Sequence, residues 1–373
     1  APGLTAVSGA PPRRLLIVGA GLMGSSLGLA AAAAGYQVWL DDADPRQLEL
    51  AVAVGAGRRR DESAPTQVDI AVAAVPPAVI ATVVAELSRL EIAATITHLS
   101  SVQTQPQVEI EALRLPSTDH IVGGHPIAGK ERAGAHHASA DLFRERPWVI
   151  CPTATAAPNA VDAVSRLASD CGASVTLMSA GEHDALLAAL SHVPQLVASA
   201  LAGSIRPLGP KRAALAGAGL RDTSRLADSG PELWAQIIAA NADEVAAALR
   251  RVLDPLNQVL TALEQPPSQV EAAVRQLLAD GRSGRRLLAG KHGAPAVRWA
   301  TVTVVVPDEP GALARLLADA AAAEVNVEDI RVDHAPGHPV GLVELDVAPG
   351  RQDALRESLT TAGWSASATT APE

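Results

Sequence analysis

The chain has 373 residues, a formal net charge of −10 and two cysteines. That length can hold two or three domains, each able to bury its own core, and the acidic balance argues against nucleic acid as a partner. Cys151 and Cys171 form no CxxC and no Cys/His cluster with metal-ligand spacing, which points to structural thiols in a reducing, cytoplasmic compartment and to no metal.

Residues 1–12 lack a charged segment followed by an apolar one and are expected to be a lead-in without a secretory signal. Residues 15–35 carry no charge over a length that could cross a bilayer. Gly19, Gly21, Gly24, Ser25 and Ser26 instead fit a strand, a tight turn and a buried helix, so no membrane association is expected. Aromatic residues make up only 2% of the chain, so its cores must be built from small aliphatic side chains.

Short apolar runs then alternate with helical stretches, as a doubly wound parallel sheet requires. Strands are expected at 15–18, 37–40, 70–75, 95–99, 121–123, 148–150 and 174–178, with a helix at 159–170. The first strand runs into LLIVGAGLMG, residues 15–24. In this pattern Gly19 makes the turn, Gly21 lets backbone approach a pyrophosphate, and Gly24 allows close packing of a helix whose first residues, Leu22 and Met23, face the phosphates. Asp42 follows the second strand at the distance where an acidic side chain accepts hydrogen bonds from both ribose hydroxyls and repels a 2′-phosphate. The cofactor expected is therefore NAD. Asp41 is a near neighbour, Arg46 leaves some room for NADP, and a plain packing turn is the structural alternative.

Residues 124–131, GHPIAGKE, place a lone histidine in an expected turn after a short apolar run, where a base can be exposed on a rigid scaffold. From residue 181 the pattern becomes helical, with Ala/Leu-rich segments at 182–204, 231–263 and 267–278. His192 lies in an apolar helical run two residues before Pro194, and burial with one hydrogen bond is the default reading. His136, His137, His183, His292, His334 and His338 have no partners at metal-ligand spacing and are expected at the surface. Residues 216–222, AGAGLRD, look like a phosphate loop but follow a helix, so a helix break is expected there. Arg221, Asp222 and Arg225 come next; a guanidinium is the best planar partner for a carboxylate, although charged segments of this kind are usually solvated surface.

Residues 279–298 are rich in glycine and basic residues and are expected to form a linker or exposed arm. Beyond them the pattern at 300–306, 311–323, 325–332, 340–347, 352–362 and 364–368 is strand, helix, strand, strand, helix, strand, the order of a ferredoxin-like βαββαβ domain. The expected division is a Rossmann-type dinucleotide domain at 13–180, an all-helical domain at 181–280, to which the resemblance described next assigns substrate binding and dimerisation, a linker at 281–298 and the small α/β domain at 299–370.

Taken in order and spacing, GAGLMGSSLGLA, THLSSV, GGHPIAGKE, SHVPQLVASAL and GLRDTSRLADS resemble the prephenate/arogenate dehydrogenase family of tyrosine biosynthesis. The segment VPDEPGALARLLADAAAAEVNVEDI resembles an ACT domain, a module that commonly binds amino acids and regulates the enzyme attached to it. The resemblance implies an NAD-dependent oxidative decarboxylation of prephenate, with arogenate as the alternative substrate. It implies His125 as the catalytic histidine, Ser101 beside the reacting hydroxyl and nicotinamide, and His192 and Arg225 as holders of the substrate carboxylates. Glu131 matches an acidic residue that tunes the pocket. In the tail, Asp308, Pro310 and Gly311 at a strand-to-helix turn and Asn326 before the next strand imply a pocket for an aromatic amino-acid effector, tyrosine above all. A homodimer is expected from the apolar content of the helical domain. Two departures touch secondary contacts: Gln103 where a lysine is frequent, and Gln195 where a second histidine often follows the proline. A base at His125 would titrate near the ordinary histidine value of about 6.5, shifted by its surroundings.

Other classes are compatible with parts of the pattern. A different hydroxy-acid dehydrogenase would normally use a lysine base on a long helix, and no lysine stands between Lys130 and Lys211. A non-catalytic sensor of NAD and amino acids would use the tail as its receptor.

Overall fold

The computed structural model describes residues 12–128, 134–288, 299–334 and 339–369. The chain divides into two compact units, one of residues up to Gly203 together with Ser224–Leu253, the other of Ser204–Thr223 with Asp254 onward.

The first unit is built on β1 (Arg14–Val18), β2 (Gln37–Asp41), β3 (Arg58–Arg59), β4 (Val68–Ala73), β5 (Ala93–His98), β6 (Ile121–Pro126), β7 (Pro147–Cys151) and β8 (Ser174–Leu177). Their order in the sheet is β3-β2-β1-β4-β5-β6-β7-β8. The chain leaves β1 toward β2 on one side and returns to β4 on the other, so β1 and β4 flank the point where the winding reverses. In open α/β sheets ligands bind at the carboxyl ends of strands at such a point. The sheet departs from the expected all-parallel form at β7, which runs antiparallel to β6, with His125 opposite Val149. The two-residue strand β3 also lacks any apolar signal and was not anticipated.

Both faces of the sheet are covered, which is why its strands read as continuous apolar runs rather than alternating ones. Leu15 and Ile17 point into a core shared with Leu27, Leu40, Phe143, Trp148 and Leu167. Leu16, between them, joins Ala71, Ile80, Val84 and Ile96 on the opposite face. Each such aliphatic side chain contributes about 1.5 to 3 kcal/mol by leaving water. Cys151 and Cys171 are free and buried, and burial pushes both thiols up to about 12.

After β8 the chain is helical. Ser179 caps the helix Ala180–Leu187 in a reciprocal box with Glu182. The next residues, Ala188–His192, form a π-helical turn before the helix Val193–Ser204 resumes. Pro194 explains this widening: it has no N–H to offer the carbonyl four residues earlier, and its ring crowds that carbonyl. The run Ala180–Ala213 is by length and composition apolar enough to cross a membrane, yet it carries the buried polar residues His183, Asp184 and His192. The expected helix at 231–263 is divided at Asn241 into Pro231–Ala240 and Ala242–Ala262. Ala188, Val193, Val245 and Ala248 form the apolar cluster of these helices.

In the second unit Gly217 lies between the helices Gly209–Ala213 and Ala218–Ser224, the break expected at the second glycine cluster. The helix Pro267–Arg285 continues past its expected end into the stretch read as linker. Bonds one turn apart, Gln276 to Asp280 and Ser283 to the Ala279 carbonyl, support it there.

The C-terminal strands are β9 (Ala300–Pro307), β10 (Val327–His334), β11 (Val340–Val347) and β12 (Ser365–Thr369), with helices Ala312–Ala322 and Gln352–Thr361. Their antiparallel sheet has the order β10-β11-β9-β12, the βαββαβ arrangement expected from the pattern. Val302, Val304, Val343 and Leu345 pack against Leu316, Leu355 and Leu359 of the two helices.

Candidate functional site

The glycine turn sits at the carboxyl end of β1. Gly19 has φ +104°, a left-handed conformation that favours glycine, and a Cβ there would come within 2.3 Å of the Ala74 carbonyl oxygen. A Cβ on Gly24 would meet the Gly19 oxygen at 1.8 Å, so helix and turn touch through this residue. Gly21 differs, because a Cβ there would meet nothing within 4 Å. It caps the helix Leu22–Ala33, whose first turn has neither a capping side chain nor an acidic residue. The N–H groups of that turn, Leu22 and Met23 among them, carry no side-chain cap and stand at the positive end of the helix. The donor set fits a pyrophosphate.

Asp42 lies immediately after β2 and faces the same turn. Its Oδ2 accepts from the Ala20 N–H at 2.5 Å and its Oδ1 from the Asp44 N–H at 2.8 Å. The carboxylate thus braces the turn. Asp41, beside it, pairs with Arg60 at 3.7 Å. These residues fit a dinucleotide without a 2′-phosphate.

Ser101 and His125 come from neighbouring strands at this same edge. His98 of β5 is paired with Gly123 of β6, so the loop that holds Ser101 and the strand end that holds His125 follow neighbouring strands at the same end of the sheet. Gln103 ties the two segments together, its Nε2 donating to the Ser100 carbonyl at 2.7 Å and the Gly124 carbonyl at 3.2 Å. The departure from lysine at this position is therefore a neutral clamp. Its Oε1 is buried without a partner.

His125 Nδ1 lies 2.8 Å from His183 Nε2, and His183 Nδ1 lies 2.8 Å from Asp184 Oδ1. Asp184 is buried, and its carboxylate also accepts the N–H groups of Gln103 at 2.9 Å and Thr104 at 2.8 Å. It thereby caps the helix Thr104–Ala112 from a distant part of the chain. Burial pushes the Asp184 carboxyl up, but the hydrogen bonds from His183, Thr104 and Gln103 outweigh it and hold the group below the usual carboxylate range. The expectation that His183 lies at the surface is thus overturned: its ring is fully buried between Asp184 and His125. A carboxylate can only accept, so His183 carries hydrogen on Nδ1 and, when neutral, presents a lone pair at Nε2. His125 must then donate from Nδ1, which leaves its Nε2 as the basic nitrogen.

Burial, then the neighbouring His183 and His192, push His125 down to about 3, against the opposing pull of Asp184. The imidazole is neutral far below the expected value near 6.5. His98, buried beneath the site, is pushed down to about 4 by burial and by His183.

His192 is buried on the π-turn, with its Nδ1 3.2 Å from Asn241 Nδ2 and its ring edge-on to Trp234 at 6.1 Å. Burial and His183 hold its conjugate acid low, opposed by Asp184. Arg225 opens the short 3-10 turn Arg225–Asp228 and is exposed. Gln195, one turn beyond His192, holds that segment by donating to the Leu226 carbonyl at 2.8 Å. Glu131 lies outside the described residues.

The structure therefore links His125, His183, Asp184, Asn241 and His192 in one hydrogen-bonded chain, with Ser101 at the same sheet edge. His183, Asp184, His98 and Asn241 had not been singled out in the sequence. A signal for two of them was present: Ser179 and Glu182 form a capping box, which places His183 and Asp184 on the helix directly after it.

The tail residues belong to the second unit. Asp308 donates its N–H to the Pro339 carbonyl at 3.0 Å, and Pro310 precedes Gly311, whose φ of +88° starts the helix Ala312–Ala322. Asn326 donates to Glu328 at 2.6 Å.

Residues 27–177 match the family described as prephenate dehydrogenase, nucleotide-binding domain, and residues 179–278 match prephenate dehydrogenase, dimerization domain. A Streptomyces niveus protein named "Probable prephenate dehydrogenase NovF" is 31% identical over 363 residues, 95% of this chain and 99% of that protein. Prephenate dehydrogenase of Bacillus subtilis (strain 168) is 28% identical over 328 residues, 85% of this chain and 87% of that protein. The fold matches that of Aquifex aeolicus prephenate dehydrogenase, solved in complex with hydroxyphenyl propionate and NAD+, with a TM-score of 0.66 at 24% identity over 75% of this chain and 100% of that one. Together with the glycine turn and the histidine chain, these matches establish that the chain belongs to the prephenate dehydrogenase family.

Proposed function

We propose that this chain is an NAD-dependent prephenate dehydrogenase, converting prephenate to 4-hydroxyphenylpyruvate and CO2 in tyrosine biosynthesis. The observation that carries this reading is the hydrogen-bonded order Asp184, His183, His125, which leaves a neutral histidine with its lone pair on Nε2.

Prephenate carries a ring hydroxyl opposite a quaternary carbon bearing a carboxylate. The glycine turn and Asp42 would hold NAD, which when bound would supply the hydride acceptor. His125 Nε2 takes the hydroxyl proton as the carbinol carbon gives up its hydride, and the ring carboxylate leaves as CO2. The electron pair of the broken C–C bond makes the ring aromatic, and the phenolate oxygen takes a proton back. Ser101 is assigned to orient the hydroxyl, and His192 and Arg225 to hold the carboxylates. A neutral His192 adds a hydrogen bond without adding a second cation, which would further stabilise the ground-state carboxylate and oppose its loss. Glu131 is assigned to the pocket's electrostatics.

The wider reading assigns residues 13–180 to cofactor binding, 181–280 to substrate binding and pairing into a homodimer, 281–298 to a linker and 299–370 to an ACT domain. The dimerization-domain match at 179–278 supports the pairing. The βαββαβ order of the tail supports the ACT assignment. In that domain Asp308, Pro310, Gly311 and Asn326 are assigned to an aromatic amino-acid effector, with tyrosine as the end product that inhibits. The enzyme would work in the cytoplasm.

The test is to supply the purified chain with NAD and either prephenate or arogenate, following reduced nicotinamide by absorbance and CO2 by trapping. Equal yields of both products from prephenate support the reading. Preference for arogenate would make the chain an arogenate dehydrogenase, and no reduction with either substrate would refute the assignment. Calorimetry with tyrosine tests the effector separately.

A further inference from the structure

Asn241 belongs to none of the motifs that mark the site, yet it is buried at the junction between the helices Pro231–Ala240 and Ala242–Ala262. Its Nδ2 donates to the backbone carbonyl of Asp184 at 2.8 Å and lies 3.2 Å from His192 Nδ1. A backbone carbonyl can only accept, so the first contact fixes which end of the amide is nitrogen. The second hydrogen on that nitrogen is then directed at His192 Nδ1, which must supply a lone pair. A neutral His192 therefore carries its own hydrogen on Nε2.

We propose that Asn241 is a positioning residue for substrate binding, one that holds His192 as a neutral Nε2–H donor toward a substrate carboxylate. The proposal rests on the reading of His192 as a carboxylate contact. The chemistry needs this tautomer: with hydrogen on Nδ1, a neutral ring would turn a lone pair toward the anion and repel it. The same amide fastens His192 to the backbone of Asp184, whose carboxylate sets the hydrogens of His183 and His125. The two ends of one buried network thus fix two histidines in complementary forms, His125 as acceptor and His192 as donor.

Nitrogen NMR of the full chain labelled at histidine tests this without substrate, with the His192 signals identified by their loss in His192→Gln. The wild-type ring is expected to show a protonated Nε2 and an unprotonated Nδ1. Hydrogen on Nδ1 would overturn the proposal, whatever any variant does. Asn241→Asp, which accepts where asparagine donates, should move hydrogen onto Nδ1. Asn241→Leu should raise KM for prephenate about tenfold, the worth of one well-placed donor, with KM for NAD and kcat within about twofold. A merely structural role would instead move all three constants together and sink the proposal. If the tautomers behave as stated but Asn241→Leu leaves KM for prephenate unchanged, the carboxylate reading of His192 is what fails, and the proposed role in substrate binding fails with it.

Discussion

His183 Nε2 stands 2.8 Å from His125 Nδ1, and because its other nitrogen is held by Asp184, His183 decides which nitrogen of His125 is the base. Removing that acceptor without filling the site with another should free His125 to rotate and to move its hydrogen. His183→Leu is expected to lower kcat by about 10- to 100-fold while leaving KM for NAD nearly unchanged. His183→Gln, whose amide oxygen can accept from Nδ1, should keep more activity than the leucine variant. Equal activity in both variants and the wild type, measured by steady-state kinetics, would remove His183 from the reaction.

The pH dependence of turnover follows from the surroundings of His125. Protonation disables a base, and burial with two neighbouring imidazoles pushes that protonation down to about 3. The acid side of the kcat profile should therefore not be controlled by His125 within about pH 5 to 8. A fall centred near the ordinary histidine value of about 6.5 would contradict this placement.

Stability should respond over the very range where turnover does not. His98 and His125 have folded values near 4 and 3, below the unfolded value of about 6.5. Between these limits the unfolded chain binds protons that the folded chain refuses, so the stabilisation present above about pH 6.5 is lost as pH falls. Each group accounts for roughly 2 kcal/mol by about pH 5. Denaturant unfolding across this range should show the decline, and His98→Leu should flatten it. Stability independent of pH here would mean that neither ring is held neutral by burial.

Asp42 accepts from both Ala20 and Asp44, so its replacement acts on the turn as well as on the ribose. Asp42→Ser should raise KM for NAD and lower the ratio of kcat/KM for NAD over NADP by about tenfold or more, since a like-charge repulsion is removed. A wild-type enzyme that already prefers NADP would refute the ribose assignment.

The parts of the site that were legible in the sequence are those built from local backbone chemistry. Gly19 and Gly24 each answer a local steric demand, which the structure shows as a positive φ at Gly19 and, at both, a contact too close for any Cβ. The βαββαβ tail was legible because its strands are buried on one face and alternate accordingly. His183 was misplaced because its partner, His125, is 58 residues away along the chain, and no periodicity reports a contact made by folding β6 against a later helix. The reversal of β7 was hidden because a strand buried on both faces looks the same in either direction. The helix break at Asn241 lies within a segment read as one helix, and the structure adds there the buried hydrogen bonds to Asp184 and His192.

Turnover of His125→Asn with prephenate and NAD, compared with wild type under saturating conditions, tests the assignment of the base itself. Asparagine preserves a hydrogen-bonding side chain but offers no basic nitrogen. Turnover should fall by about 10²- to 10⁴-fold, with the dissociation constant for prephenate little changed. Turnover within about threefold of wild type would show that the proton leaves the substrate by another route, and that the hydrogen-bonded order of Asp184, His183 and His125 serves something other than this reaction.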